Sequence, residues 1–291
     1  MDDSEFLAHR FEQNRTHLKA VAYRMLGSLS EADDAVQEGW LRLSRAEVAE
    51  VENLRGWLTT VVARVCLDML RSRKARREES LDVHVPDPIV REIDGADPEH
   101  EAVLGDSVGL ALLVVLDTLA PAERLAFVLH DMFALSFDEI APIAGRTPGA
   151  TRQLASRARR RVQGSGPVPD ADLARQREVV EAFMAASRGG RFDALLELLG
   201  PDIVLRADHG GPESTLVHGA RAVTEQAVTF SRFAPFARLA LVNGAAGVVA
   251  APDGKAMSVM AFTVAGGKIA RIDILADPHR LQHLGLPPAD D

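Results

Sequence analysis

Between Ser136 and Gly164 the sequence leaves the backbone little choice. Ser136 and Glu139 form an S-x-x-E pattern, in which each side chain caps a backbone N–H of the other's turn, so a helix starts here. Gly145 stops it. Thr147 is a good helix N-cap, and Pro148 sits at the first helical position, where its missing N–H costs nothing. The result is helix, tight turn, helix. The second helix lies in "TPGATRQLASRARRRVQG", residues 147–164, which carries five arginines and no acid in a chain of formal net charge −9. In units of this shape the second helix enters the DNA major groove, and residues near its N-terminus reach base edges. Gln153 suits adenine, and Arg152 suits guanine or phosphate. Arg157, Arg159, Arg160 and Arg161 point to several faces, so some meet phosphates. A local basic patch of this kind acts despite the negative total, because charges more than about 8 Å apart are largely screened at physiological salt.

At 291 residues the chain has room for two or three domains. The first, 1–77, reads as all helix. In "ENLRGWLTTVVARVCLDML" the apolar residues Leu54, Trp57, Leu58, Val61, Val62, Val65 and Met69 recur at the spacing of one buried face, and the helix runs into "RSRKARR". Cys66, the single cysteine, falls in this pattern as an inert core residue, and no intrachain disulfide can form. Residues 78–106 hold ten acids, one base and three prolines, which suits an extended acidic linker. Residues 107–164 are helical again, with a break at Ala120-Pro121, and Pro142 is expected to bend the helix that contains it.

From 171 to 291 the pattern changes. Two helices, a strand at "DIVLRAD" and a further helix precede runs near 237–242, 246–251, 256–264 and 268–275. Asn243-Gly244, Pro252-Asp253-Gly254 and Gly266-Gly267 separate these runs, so an antiparallel meander with helices on one face is expected, an α+β domain. The N-terminus lacks a basic start with an apolar core, and the longest apolar run, Val108–Leu116, is nine residues, too short to span a bilayer. A cytoplasmic protein without membrane contact is expected.

Three stretches resemble bacterial sigma factors of the extracytoplasmic-function class, in the sigma-70 family. "YRMLGSLSEADDAVQEGWLRLSR" (23–45) is similar to their regions 2.1–2.2, and "ENLRGWLTTVVARVCLDMLRSRKARRE" (52–78) to regions 2.3–2.4. "LDTLAPAERLAFVLHDMFALSFDEIAPIAGRTPGATRQLASRARRRV" (116–162) is similar to region 4. "RADHGG" (206–211) and "ADPHRL" (276–281) resemble the SnoaL-like domain fused to one subgroup of these factors. "VPDP" (85–88) is loosely similar to a proline-acid-proline element of that subgroup.

The resemblance implies a multidomain chain: two all-α sigma domains, the second with the helix-turn-helix, then an α+β SnoaL-like cone domain. It implies as partners promoter DNA and core RNA polymerase, through the β′ clamp and the β subunit. The clamp contact would fall on Asp34, Gln37, Glu38, Leu41 and Arg42, a stripe beside the core face Ala32, Ala35, Val36, Gly39, Trp40 and Leu43. Asn53 and Arg55, expected in the loop before the basic helix, would read flipped bases of the −10 element, with Arg71, Arg73 and Lys74 supplying positive charge. Thr147, Gly149, Thr151, Arg152, Gln153, Ser156, Arg157 and Arg160 would meet the −35 element. The acidic linker would thread the polymerase toward the RNA exit path. Asp208, His209, Gly210 and Gly211 would lie at a regulatory interface with the sigma domains; His209 replaces a glycine of the subgroup's Asp-Gly-Gly-Gly run.

The rival reading is a helix-turn-helix regulator that never joins polymerase, fused to a ligand-binding or enzymatic SnoaL-like domain. Asp202, Asp208, His209, His218 and Asp273 are available for acid–base work, with Asp208-His209 as a candidate pair. The only tyrosine is Tyr23, in the first domain, so an oxyanion-holding tyrosine of the ketosteroid-isomerase kind is missing. No catalytic residue is assigned, no cofactor is expected, and the histidines lack paired ligand spacing for a metal. An α+β fold of this kind has room for an enclosed apolar pocket, and with it an unknown small ligand.

Overall fold

The computed structural model describes residues 3–45, 53–77, 83–92, 109–166, 168–229 and 231–286. They fall into two compact units. Residues up to 77 and 115–165 form a helical unit; 83–92, 109–114 and 166–286 form an α+β unit.

In the helical unit, α1 (Asp3–Leu26), α2 (Leu29–Leu43) and α3 (Leu54–Arg77) pack on one another. Ser28 caps α2, and Ala32, Ala35, Val36, Gly39 and Leu43 form its buried face; Trp40 is half-buried, its ring 5.1 Å from that of Phe11. On α3 the expected stripe is buried at Leu54, Leu58, Val62 and Val65, with Trp57, Val61 and Met69 half-buried. Cys66 is buried in this core, and burial pushes its thiol pKa up to about 12, so it is inert.

Helix α4 (Leu110–Asp117) is apolar apart from Asp117, and the division between the units falls within it. After Ala120, α5 (Pro121–Phe127) runs into a π-helical turn, Val128–Met132. Then come α6 (Phe137–Ala144) and α7 (Pro148–Gln163), each packed on α5 and on the other. The capping box at Ser136–Glu139 forms, Gly145 takes a left-handed φ of 66°, and the Thr147 side chain accepts from the N–H of Ala150. Helix α6 continues through Pro142 to Ala144. Helix α3 also packs on α5 and α6, so both helical modules belong to one unit.

The α+β unit holds a seven-stranded sheet, with β1 (Val90–Arg91), β2 (Leu199–Asp208), β3 (Thr215–His218), β4 (Ala237–Val242), β5 (Ala245–Ala250), β6 (Ser258–Ala265) and β7 (Lys268–Leu275) in the order β1-β4-β5-β6-β7-β2-β3. The β4–β7 meander is antiparallel as expected, but β2 runs parallel to β7. Helices α8 (Leu173–Arg188), α9 (Phe192–Leu198) and α10 (Ala220–Thr229) supply Val180, Phe183, Leu195 and Val223 to a core shared with Leu205, Val248, Phe262 and Ile272. A 3-10 segment, Ser231–Phe236, leads into β4, and α11 (Pro278–Leu281) follows β7. Strand β1 comes from the acidic linker. Residues 83–92 are extended, and Val85, Pro86, Asp87 and Pro88 are buried. This part of the linker is therefore docked rather than solvated; the remainder of 78–106 lies outside the described residues.

Candidate nucleic-acid interface

The recognition helix α7 presents Arg152, Gln153, Ser156, Arg157 and Arg160 as exposed residues, with Thr147 and Gly149 exposed at its start. Thr151 departs from expectation: it is fully buried, and its hydroxyl donates to the Thr147 carbonyl at 3.0 Å, so it packs α7 rather than facing DNA. The arginines differ in what holds them. Arg157 and Arg161 both pair with Glu123 on α5, at 2.8 and 3.2 Å, and Arg159 pairs with Asp131 at 2.5 Å. Arg152 stacks its guanidinium over Phe137, 5.2 Å from the ring centre. Arg160 makes no ion pair among the described residues.

On α3, Asn53 caps the helix by accepting the Gly56 N–H at 2.9 Å. Arg55 lies inside the first turn rather than in a loop, and donates to His17 Nδ1 at 2.9 Å. His17 Nε2 lies 3.1 Å from Thr59 Oγ1, whose proton goes to the Arg55 carbonyl, so His17 donates from Nε2 and accepts at Nδ1. Burial and the nearby charges of Arg55 and Arg24 lower the His17 pKa to about 4. Arg71 pairs with Asp68 at 3.4 Å and stays exposed, as does Lys74. Arg73 is not open: it donates to the Leu26 carbonyl at 2.9 Å, pairs with Glu31 and lies 3.8 Å from Asp117. Nearby, the almost fully buried Arg124 pairs with Asp117 at 2.8 Å and donates to the Arg24 carbonyl at 3.2 Å. Arg64 donates to the Pro142 carbonyl at 3.3 Å. On α2 the stripe Asp34, Gln37, Leu41 and Arg42 is exposed, with Glu38 half-exposed and paired to Arg42 at 2.9 Å; Leu41 is 37% exposed, an apolar side chain among charges.

A second constellation sits in the α+β unit. Asp208, at the end of β2, is 3% exposed. Its carboxylate accepts from the Val85 N–H at 2.9 Å, the Gly210 N–H at 3.0 Å and Arg280 Nη1 at 2.8 Å, and His84 lies 3.3 Å away. Burial alone raises its pKa. Hydrogen bonds from His84, Val85 and Gly210 and the Arg280 charge outweigh burial and hold it well below the usual carboxylate range. Arg280 also donates to Asp87, from Nε at 2.8 Å, and to the Val85 carbonyl at 2.6 Å. At the far end of the segment, the Ile89 N–H and carbonyl bond Asn243, and β1 pairs with β4. Residues 85–90 thus bridge strands that β5, β6 and β7 separate.

Of the four residues expected at a domain interface, Asp208 holds the linker directly and Gly210 shapes its loop. His209 lines an apolar cavity, the Gly211 carbonyl accepts the Ser214 N–H at 3.0 Å, and Asp208 makes no hydrogen bond to His209. Asp87 and Arg280 were not singled out from sequence; "VPDP" and "ADPHRL" were the available signals.

Two helical modules, one ending in a capped helix-turn-helix with an exposed basic helix, define a DNA-binding transcription protein. The family model Sigma-70 region 2 matches residues 10–76, and Sigma-70, region 4 matches 109–162. The chain is 39% identical over 288 residues to the ECF RNA polymerase sigma factor SigJ of Mycobacterium tuberculosis, covering 93% of this chain and 91% of that one. It is 35% identical to the probable ECF sigma factor SigI of the same species, over 98% of both chains. The crystal structure of SigJ superposes with a TM-score of 0.74 at 36% identity, covering 97% of this chain and 98% of that one. The chain belongs to the extracytoplasmic-function sigma factors of the sigma-70 family, and it directs transcription initiation. Its C-terminal domain is α+β, as expected from the sequence. Among the described residues no helix is long and apolar enough to cross a membrane.

Proposed function

We propose that this sigma factor acts in the cytoplasm, docks on the β′ clamp of core RNA polymerase through Asp34, Gln37, Glu38, Leu41 and Arg42, and also contacts the β subunit. Asn53, Arg55, Arg71, Arg73 and Lys74 act at the −10 element. Arg152, Gln153, Ser156, Arg157 and Arg160 act at the −35 element. The exposed Leu41 within a charged stripe supports the clamp contact, since Ala32, Ala35, Val36, Gly39 and Leu43 on the core face of α2 are buried. The arrangement of α3 against α5 and α6 is a closed one. The −10 and −35 elements lie roughly two duplex turns apart, about 70 Å, so promoter loading requires α3 to leave α5 and α6 and parts Arg73 from Asp117, while Arg73 keeps its partner Glu31 on α2.

The C-terminal domain regulates this opening rather than catalysing a reaction. The observation that carries this reading is the capture of the linker by Asp208 and Arg280. A linker held at 83–92 limits how far the segments on either side of it can part, and the same stretch must be released to thread the polymerase. The test is in vitro transcription with core polymerase, comparing the full chain, a truncation after Gly164 and Asp208→Ala. Promoter output or polymerase affinity is expected to differ among the three. Identical values would refute regulation by the C-terminal domain, and absence of core-dependent initiation would refute the polymerase roles.

A further inference from the structure

The arginines of α7 are held in two different ways. Glu123 and Asp131 each take N–H groups: Arg157 and Arg161 pair with the first and Arg159 with the second. Part of the donor edge of each of these guanidinium groups is therefore occupied. Arg152 is held by its flat face instead. Its Cζ lies over the Phe137 ring, 5.2 Å from the centre, within the reach at which an aromatic face attracts a cation. A guanidinium carries its N–H donors in its own plane, so stacking leaves them open. The two acceptors on the major-groove edge of guanine need just that pair of free donors.

The Phe137 ring is itself fixed. His130 stacks on it, with ring centres 3.9 Å apart and planes 27° apart. His130 Nδ1 donates to the Leu135 carbonyl at 2.8 Å. The chain between the two rings closes tightly. His130 lies in the π-helical turn, the Ala134 N–H bonds the His130 carbonyl at 3.1 Å, and the Leu135 N–H bonds the Leu129 carbonyl at 2.9 Å. Ala134 takes a left-handed φ of 56°. Such a conformation is strained for a residue with a Cβ and persists only where its surroundings over-determine it. Phe137 follows directly as the first residue of α6, behind the Ser136 cap. The turn on one side and the capped helix on the other thus set the ring.

We propose that Phe137, backed by His130, is a positioning residue for base reading. It holds the Arg152 guanidinium by its face with the donor edge open, so the side chain is ordered before it meets a base pair of the −35 element. A long side chain loses rotamer freedom when it binds, and a stack formed beforehand removes part of that loss. The inference rests on the reading that Arg152 contacts a −35 base.

The test uses the full chain with core polymerase on one promoter from which it initiates, with each base pair of the −35 element changed in turn, and reads promoter affinity. Arg152→Ala defines the base pair that Arg152 reads. Phe137→Leu is expected to lower the preference at that base pair about two- to fivefold, the worth of an exposed cation–aromatic contact. It should add nothing further in the Arg152→Ala chain. Phe137→Tyr, which keeps the ring face, should restore the preference. Phe137→Met takes the place of Phe137→Leu should that variant unfold, since it keeps apolar bulk without a ring. A loss equal on every sequence, a loss undiminished in the Arg152→Ala chain, or no loss at all assigns Phe137 to packing and overturns the proposal. Arg152→Ala without a base-pair-specific loss overturns instead the reading on which the proposal rests.

Discussion

Arg280 Nη1 donates to Asp208 Oδ2 at 2.8 Å while the same guanidinium holds Asp87 and the Val85 carbonyl. One side chain thus ties the end of β2 to a segment more than a hundred residues earlier. Both carboxylates are buried, Asp208 at 3% and Asp87 at 6% exposed. Removing one member of such a network leaves buried charge without a partner, which costs about 3–5 kcal/mol. Arg280→Ala is therefore expected to release residues 83–92 from the sheet. Hydrogen exchange at the Val85 and Ile89 amides should rise sharply, while amides in the β5–β6 pair stay protected. Unchanged protection at Val85 would show that the clamp does not hold the segment.

Gly210 is the residue that lets the loop close around this pair. Its φ is +82°, and a Cβ placed there would lie 2.5 Å from Asp277 Oδ2. Asp277 caps α11, which carries Arg280. Gly210→Ala should cost about 1–3 kcal/mol through backbone strain and displacement of that cap. A lower midpoint in chemical unfolding, followed in the α+β unit by hydrogen exchange at the β2 and β7 amides, checks it; Gly211→Ala, with open space around an added Cβ, should cost less.

The helix-turn-helix was legible because each of its boundaries is a local hydrogen-bonding decision made by Ser136, Glu139, Gly145 or Thr147. The helix faces of α2 and α3 were legible from spacing. The clamp was not. Val90 and Arg91 form a strand too short to show period-two alternation, and their partners Val242 and Leu241 lie far along the chain. The parallel pairing of β2 with β7 is likewise a long-range choice that no local signal announces. Thr151 was misplaced because a threonine in the first turn of a basic helix reads as polar surface; only the packing of α7 shows that it points inward. Arg73 reads as a DNA-facing charge in "RSRKARR", yet its guanidinium is held by Glu31 and the Leu26 carbonyl.

The arginines of α7 divide by what they already touch. Arg157, Arg159 and Arg161 are held by Glu123 and Asp131, whereas Arg160 makes no ion pair among the described residues and Arg152 rests on Phe137 near the helix start. Arg152→Ala is expected to cost about 1–3 kcal/mol of −35 binding and to relax preference at one base pair. Arg160→Ala should weaken all sequences alike and flatten the salt dependence. Initiation assays with core polymerase on a panel of −35 variants separate these outcomes. Equal losses on every variant for Arg152→Ala would remove its base-reading role.

The helical unit also carries a pH dependence at His17. Its ring accepts from Arg55 at Nδ1 and donates to Thr59 from Nε2, so the folded state holds the neutral form, with a pKa of about 4. An unfolded histidine titrates near pH 6.5. Between these values the unfolded chain binds a proton that the folded chain does not, so stability rises with pH across this window. It is fully present above about pH 6.5 and is lost as pH falls toward 4, at no more than about 1.4 kcal/mol per unit because the ring is only partly buried. Phe133 packs edge-on against His17, with ring centres 5.4 Å apart, so the ring joins α1 and α3 to the segment after the π turn. Protonation at Nδ1 would end the bond from Arg55 and set two cations side by side. Acidification from pH 7 to 5 should therefore lower the unfolding free energy of the helical unit, and His17→Gln should remove most of that slope. Equal slopes in the wild-type chain and His17→Gln would assign the pH dependence to other groups.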